Sequence, residues 1–555
     1  MADPGTMAAV VAGTLEPVEC VASRLDLSSD DVTLYGPYRA KIRIDPAPPP
    51  EARASRYVLI TGITPTRHNA GKTVTTIGLA MGLERLGHRA TATLRQSSFG
   101  PTFGAKGGGA GGGKARVEPL EECLLGLGSD VFAVEMANNL LAAVVDDALH
   151  RGAEVDPSAV TWRRALDVDD RCLRQVRVGL GGALNGPEHL TGFDITAASE
   201  VMAILCLSRD FADLRDRLAS IVPAWDLDGQ PITAGSLEAA GSMAVLLRDA
   251  IRPNLMQTSD GTPVTIHSGP FGNIAPGNSS VIGDVVALAR SDFVVTEAGF
   301  GSDLGAEKFF HLKCPVSGLA ADAAVLVATV PCLRDHGGAL GDGPDLAAVK
   351  AGCSNLRRHV ENLHAFGVPT VVTINRFPGD SDDEVATVVS AARDAGAAAV
   401  AEHRAFAEGS SGCIELAEAV AATAEKGGGS EGAHQLFDRH APVEEKVEVI
   451  AERLYGASGV EWTPEASARM EQFRLAGFGQ LPVCMAKTHL SLSHDPKALG
   501  APSGFMLPVT EVRLAAGAGY VTVLTGAIST MPGLPSKAKF REIDLLADGT
   551  VVGLT

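Results

Sequence analysis

The stretch from Tyr57 to Thr73 constrains the fold of this chain more than any other. An apolar run, Tyr57-Val58-Leu59-Ile60, passes into a turn-rich loop that closes on Gly71-Lys72-Thr73 just before a helical pattern. A buried strand that delivers a tight loop and then a helix builds a phosphate cradle, because loop N–H groups turn inward and the helix N-terminus carries partial positive charge. Gly71 would lie in the cradle wall, Lys72 would supply a point charge to β- and γ-phosphates, and the Thr73 hydroxyl would reach a magnesium ion. The pattern GxxxxGK[ST] is not fully met, since Thr66 stands five positions before Gly71. On this segment alone, an ordinary strand–helix turn with an incidental lysine stays open.

The residues after Thr73 strengthen the first reading. Val74, Ile77 and Met81 recur at helical spacing and define one apolar face, and Gly87 stands where a helix C-cap is expected. His88 to Leu94 reads as a second strand, giving a strand–loop–helix–strand unit. Arg95 to Lys114 then carries Gly104 and the glycines 107–109 and 111–113, accompanied by Arg95, Lys106 and Lys114 and interleaved with Phe99 and Phe103. Glycine lets backbone approach a ligand closely. A flexible linker has the same glycine content, but the basic and aromatic residues argue for an anion-binding active-site loop.

These segments resemble the formate–tetrahydrofolate ligases (formyltetrahydrofolate synthetases). The resemblance continues through Thr161-Trp162-Arg163-Arg164, Asp167-Val168-Asp169-Asp170-Arg171 and Gly192-Phe193-Asp194-Ile195-Thr196. It resumes in His267-Ser268-Gly269-Pro270-Phe271-Gly272-Asn273 and in the run from Val295 to Phe309, and returns in Leu481 to Thr488 and Thr530-Met531-Pro532-Gly533. It covers the chain from about residue 25 to Thr555.

The resemblance implies ATP-dependent ligation of formate to tetrahydrofolate through formyl phosphate, giving 10-formyltetrahydrofolate, ADP and phosphate. It implies ATP, Mg²⁺ and tetrahydrofolate at the site, a monovalent cation as activator, and a homotetramer. By position, Arg95 corresponds to the family's formyl-phosphate arginine, with Lys106 completing the cradle. Asp130 matches a family aspartate that would position the amine, a helix N-cap before Val131-Phe132 being the competing reading. Phe377 and Phe406 correspond to aromatics that stack on the pterin, against which stands an ordinary core role. His267 reads as a structural hydrogen-bonding residue rather than a base, and Glu297 as a candidate for ordering magnesium or water.

Several pocket positions depart from the family pattern: Ala70 and Val74 in the phosphate loop, Gln96 in place of a glutamate, Lys114 in place of a tyrosine, and Glu408 in place of a lysine. They keep open a repurposed paralogue that activates another small acid or acylates another amine, and a non-catalytic nucleotide-binding protein.

Length and composition bound the rest. At 555 residues the chain exceeds one core. The expected architecture is α/β, a large P-loop-type parallel-sheet nucleotide domain with two smaller α/β domains. The expected divisions are an extension over 1–30, the nucleotide domain with its Gly-rich loop over 31–360, a second domain lining the folate cleft over 361–480, and a C-terminal domain over 481–555. A net charge of −19 argues against a nucleic-acid surface. The nine cysteines show no metal-type spacing and read as reduced thiols. The absence of a signal-like start or an apolar stretch of about 18 residues points to a cytoplasmic protein without membrane contact.

Overall fold

A computed structural model describes residues 15–43, 55–104, 109–341, 343–426, 435–526 and 528–554. Its centre is one twisted sheet. In chain order the strands are β1 (Val32–Leu34), β2 (Ala40–Ile42), β3 (Arg56–Gly62), β4 (Ala90–Leu94), β5 (Asn254–Thr258), β6 (Pro263–Ile266), β7 (Phe293–Gly301), β8 (Ala323–Ala328), β9 (Thr370–Asn375) and β10 (Ala399–His403). Their spatial order is β1-β2-β5-β6-β4-β7-β3-β8-β9-β10. From β6 to β10 every pairing is parallel, while β1, β2 and β5 close one side with antiparallel pairings. The architecture is thus mixed α/β with a mostly parallel main sheet and several smaller sheets.

The apolar runs follow from this placement. Along β3, Tyr57 and Leu59 pack into the core on one face while Val58 and Ile60 enter the core on the other. In β8, Ala324 and Leu326 face one core and Val325 and Val327 the other. A parallel strand covered on both faces has no polar side to alternate with, and its sequence reads as continuous apolar residues.

Helix α2 (Lys72–Arg85) shows where a local pattern is overridden. The spacing of Val74, Ile77 and Met81 predicts a single buried face, yet the helix is buried along its middle, from Thr75 to Leu83. Gly78 and Gly82 are the reason. A Cβ at Gly78 would lie 2.5 Å from the Ala405 Cβ and 2.7 Å from Cys413 Sγ. The helix is therefore pressed between the sheet and the segment 405–417. The expected C-terminal stop is present, with Gly87 at φ +94°.

Two of the expected divisions are crossed by continuous structure. Within the expected extension, helix α1 (Val18–Arg24) buries Val18, Val21 and Ala22, and Leu25 and Leu27 follow them into the same core. No break in the sheet occurs near 360, because β9 and β10 extend it from β8 in unbroken parallel register. The expected strand–loop–helix–strand unit is present as β3–α2–β4, with β7 lying between its two strands in the sheet. Beyond residue 480 a separate small sheet does form, from Val483–Ala486, Glu511–Ala515 and Tyr520–Leu524. Among the described residues, no helix is long and apolar enough to cross a membrane.

Candidate active site

The candidate residues gather beyond the carboxyl ends of the parallel strands, where open α/β sheets place their ligands. The loop after β3 is anchored on both sides. Thr64 N–H donates to His359 Nε2 at 2.8 Å, and the Asn375 amide donates to the Ala70 carbonyl at 3.3 Å. Gly71, at φ +78°, opens helix α2, and a Cβ there would sit 2.4 Å from Asn375 Nδ2. Glycine is thus required twice, for the backbone turn and for the close approach.

Lys72 lies over Gly62, with its Cδ 3.4 Å from where a Cβ at that position would be. Its ammonium makes no hydrogen bond among the described residues, and burial lowers its pKa against the opposing influence of Glu297. The hydroxyls of Thr75 and Thr76 donate back to helix carbonyls, whereas that of Thr73 is bonded to no described residue. A free ammonium and a free hydroxyl at a helix N-terminus are what phosphate and its metal ion require.

Arg95 follows β4 directly. Its Nη1 donates to the Pro270 carbonyl at 3.1 Å, and its Nη2 lies 3.8 Å from Glu297 Oε1. The strand carrying Glu297 is shaped around it. β7 pairs Glu297 with Ile60, then loses register until Gly301 meets Gly62, and Phe300 stands at φ +59° in between. A Cβ at Gly299 would be 3.3 Å from both terminal nitrogens of Arg95. Gln96, standing where the family resemblance leads one to expect glutamate, is buried and donates to the Leu127 carbonyl at 2.5 Å. In that place the amide ties the end of β4 to the start of a long helix, α3 (Gly128–His150).

Asp130 sits inside the first turn of α3, so it is not the N-cap. Both its oxygens contact Lys41 Nζ, at 2.7 and 2.8 Å, and Oδ2 also accepts from Asn254 at 2.8 Å. A carboxylate so engaged, with 4% of its surface exposed, locks β2, β5 and α3 together. In this arrangement the carboxylate is engaged within the protein rather than left free. His267 is likewise structural. Its Nδ1 faces Ser280 Oγ at 2.6 Å and its Nε2 the Ala250 carbonyl at 2.7 Å, while burial pushes its pKa down to about 3.

Two exposed aromatics follow neighbouring strands of the sheet. Phe377 follows β9 and Phe406 follows β10, neighbouring strands in register from Val371–Ala399 to Asn375–His403. They are 41% and 59% exposed, so neither is a core residue. The described part of the glycine run supports this rim. Residues 111–112 and 115–118 form a hairpin, a Cβ at Gly112 would lie 3.1 Å from Phe406 Cε2, and one at Gly113 would meet the Phe406 carbonyl at 2.1 Å. Lys114 N–H closes the contact with a 2.8 Å bond to that carbonyl. Lys106 lies outside the described residues. Glu408 ends the short helix Ala405–Glu408 and is exposed to solvent, which screens its charge.

Sequence reasoning did not find the loop anchors Asn375 and His359, nor Asp167. Asp167 accepts from Ser98 Oγ and from Phe99 N–H, both at 2.7 Å, and so shapes the segment after Arg95. Burial raises its pKa to about 6.

The family model described as formate–tetrahydrofolate ligase matches residues 6–555 of this chain. The chain belongs to that family. It is 50% identical to a formate–tetrahydrofolate ligase of Roseiflexus sp. (strain RS-1) over 563 residues, covering 98% of each protein. It is also 50% identical to the ligase of Paracoccus denitrificans (strain Pd 1222), with 97% of each covered. The similarity to that of Desulforamulus reducens, at 45% identity, spans 99% of both chains.

Proposed function

We infer that this protein is an ATP-dependent ligase that joins formate to tetrahydrofolate, giving 10-formyltetrahydrofolate, ADP and phosphate. The observation that carries the reading is the convergence of unbonded Lys72 and Thr73 with Arg95 at one end of the sheet, in a chain related over its whole length to ligases of this name.

Formate and an amine do not condense in water, because hydroxide is a poor leaving group. In the first step a formate oxygen attacks the γ-phosphorus of ATP and the bond to ADP breaks, which makes formyl phosphate. In the second, the tetrahydrofolate amine attacks the formyl carbon, the carbon–oxygen bond to phosphate breaks, and the amine loses its proton. Lys72 and the α2 N-terminus hold the phosphates. Arg95, with its carbonyl partner fixing its direction, takes the acyl-phosphate oxygens as charge moves onto them. Phe377 and Phe406 offer flat apolar faces to the pterin. The Thr73 hydroxyl would hold magnesium, which when bound would neutralise charge on the phosphates. Lys106 completes the cradle in this reading. Homotetramer formation, activation by a monovalent cation and a cytoplasmic location complete the proposal.

The test is product formation by the purified protein with MgATP, formate, tetrahydrofolate and potassium, read after acid conversion to the methenyl form. Product dependent on all three substrates is expected. ATP bound without any folate product would favour the altered-substrate paralogue.

A further inference from the structure

The geometry points to Glu297 as the acidic residue that anchors the magnesium of the bound nucleotide, an inference that rests on the ligase reading above. Glu297 is the last residue of the regularly paired part of β7, which is hydrogen-bonded in parallel to β3, the strand that runs into the phosphate loop. It is 8% exposed, and among the described residues its carboxylate accepts no hydrogen bond; its contact with Arg95 is 3.8 Å long. Of the charged groups acting on Lys72, Glu297 comes first.

A carboxylate on a side chain only 10% exposed and without a protein donor keeps only the hydration that reaches it from the site. Within a phosphate site the problem sharpens, since every phosphate oxygen that enters carries the same sign. Arg95 alone does not resolve it, because that guanidinium is also needed by the acyl phosphate. A divalent cation between acid and phosphates does. Magnesium keeps several waters and takes one or two carboxylates besides the phosphates, so one acid and one hydroxyl suffice. In P-loop enzymes the pair is the loop Ser/Thr and an acid on another strand of the sheet; here Thr73 and Glu297 hold the equivalent positions. The register break after Glu297 has a purpose in this arrangement. It leaves the side chain where regular pairing stops and lets Gly299 pack against Arg95, so one irregular segment positions acid and arginine together.

The test uses the full chain with ADP, which cannot turn over, and Mn²⁺ as a spectroscopic stand-in for magnesium. Free Mn²⁺ is read by its electron paramagnetic resonance signal, and metal-free ADP binding by calorimetry. Glu297→Gln is expected to weaken Mn²⁺ in the ADP complex about 10- to 100-fold. The same variant should bind metal-free ADP more tightly than wild type, by about threefold or more, because a like charge is gone. Glu297→Asp keeps the charge and should retain weak metal-free binding, with Mn²⁺ affinity between the other two. Mn²⁺ affinity within twofold of wild type in Glu297→Gln would overturn the inference and leave the ligase reading standing; loss of turnover with that result would make Glu297 a base for the amine proton. Failure of the wild-type chain to bind ADP would instead remove the phosphate site on which both rest.

Discussion

Asp130 and Glu297 are both buried acids beside a basic side chain, and their surroundings differ in every other respect. Asp130 meets Lys41 at 2.7 Å and Asn254 at 2.8 Å, across three elements that must stay in register. Glu297 meets Arg95 at 3.8 Å and accepts no hydrogen bond from a described residue. The first region is complete within the protein; the second is arranged for something that arrives. Desolvation acts on both regions, raising the Asp130 pKa and lowering those of Lys41 and Lys72. Only in the Asp130 region are the charges compensated by short contacts. A buried charge alone therefore does not mark a functional site, whereas one without hydrogen bonds beside a phosphate-type loop is a stronger candidate.

The largest effects should come from the incomplete region. Lys72→Ala and Arg95→Ala should each lower formate-dependent ADP formation about 10²- to 10³-fold, roughly 3–4 kcal/mol of transition-state stabilisation. Their thermal midpoints should stay near wild type. Loss of fold without a specific loss of turnover would make the two regions alike and break the comparison.

Asp130→Ala should do the reverse. Removing one partner leaves Lys41 buried and uncompensated, at a cost of about 3–5 kcal/mol read as a lower urea midpoint. Glu297→Gln in the same assay should be neutral or stabilising. A catalytic loss in Asp130→Ala at unchanged stability would restore the amine-positioning role expected from sequence.

At the aromatic rim the effects should be smaller and confined to one substrate. Phe406→Ala and Phe377→Ala should raise the KM for tetrahydrofolate by about tenfold or less, near 1 kcal/mol, with nucleotide affinity unchanged. An equal change in ATP affinity would place these rings in the phosphate region.

The smallest effect is the pH dependence of the completed framework. His267, His359 and His403 have pKa values pushed by burial from 6.5 down to about 3, about 4 and about 4. A depressed folded pKa means the unfolded chain binds the proton first, so their contribution is fully present above pH 6.5 and is lost as pH falls toward 4. Thermal midpoints measured from pH 8 to 5 should decline through that window, and less steeply in His267→Asn.

The local parts of this arrangement are legible in the sequence. The strand, loop and Gly71-Lys72-Thr73 of the cradle lie within one short segment, and Arg95, Phe377 and Phe406 are marked by their flanking motifs. What escapes a sequence reading depends on pairings between distant residues. Nothing near Asp130 announces Lys41, 89 residues away. Nothing near Gly71 announces Asn375, although that amide fills the space a side chain there would need. The insertion of β7 between β3 and β4 is decided by sheet order, and it alone brings Glu297 to Arg95. The glycine run reads as a ligand loop throughout, because hairpin support for Phe406 and close approach to a phosphate demand the same residue type.

The central claim is that formate becomes the phosphoryl acceptor before the amine attacks. Formate labelled with ¹⁸O in both oxygens, incubated with the protein, MgATP and tetrahydrofolate, tests it directly. Transfer through formyl phosphate predicts one ¹⁸O in each phosphate released, detected by mass spectrometry. Phosphate carrying no label, with 10-formyltetrahydrofolate still formed, would contradict it.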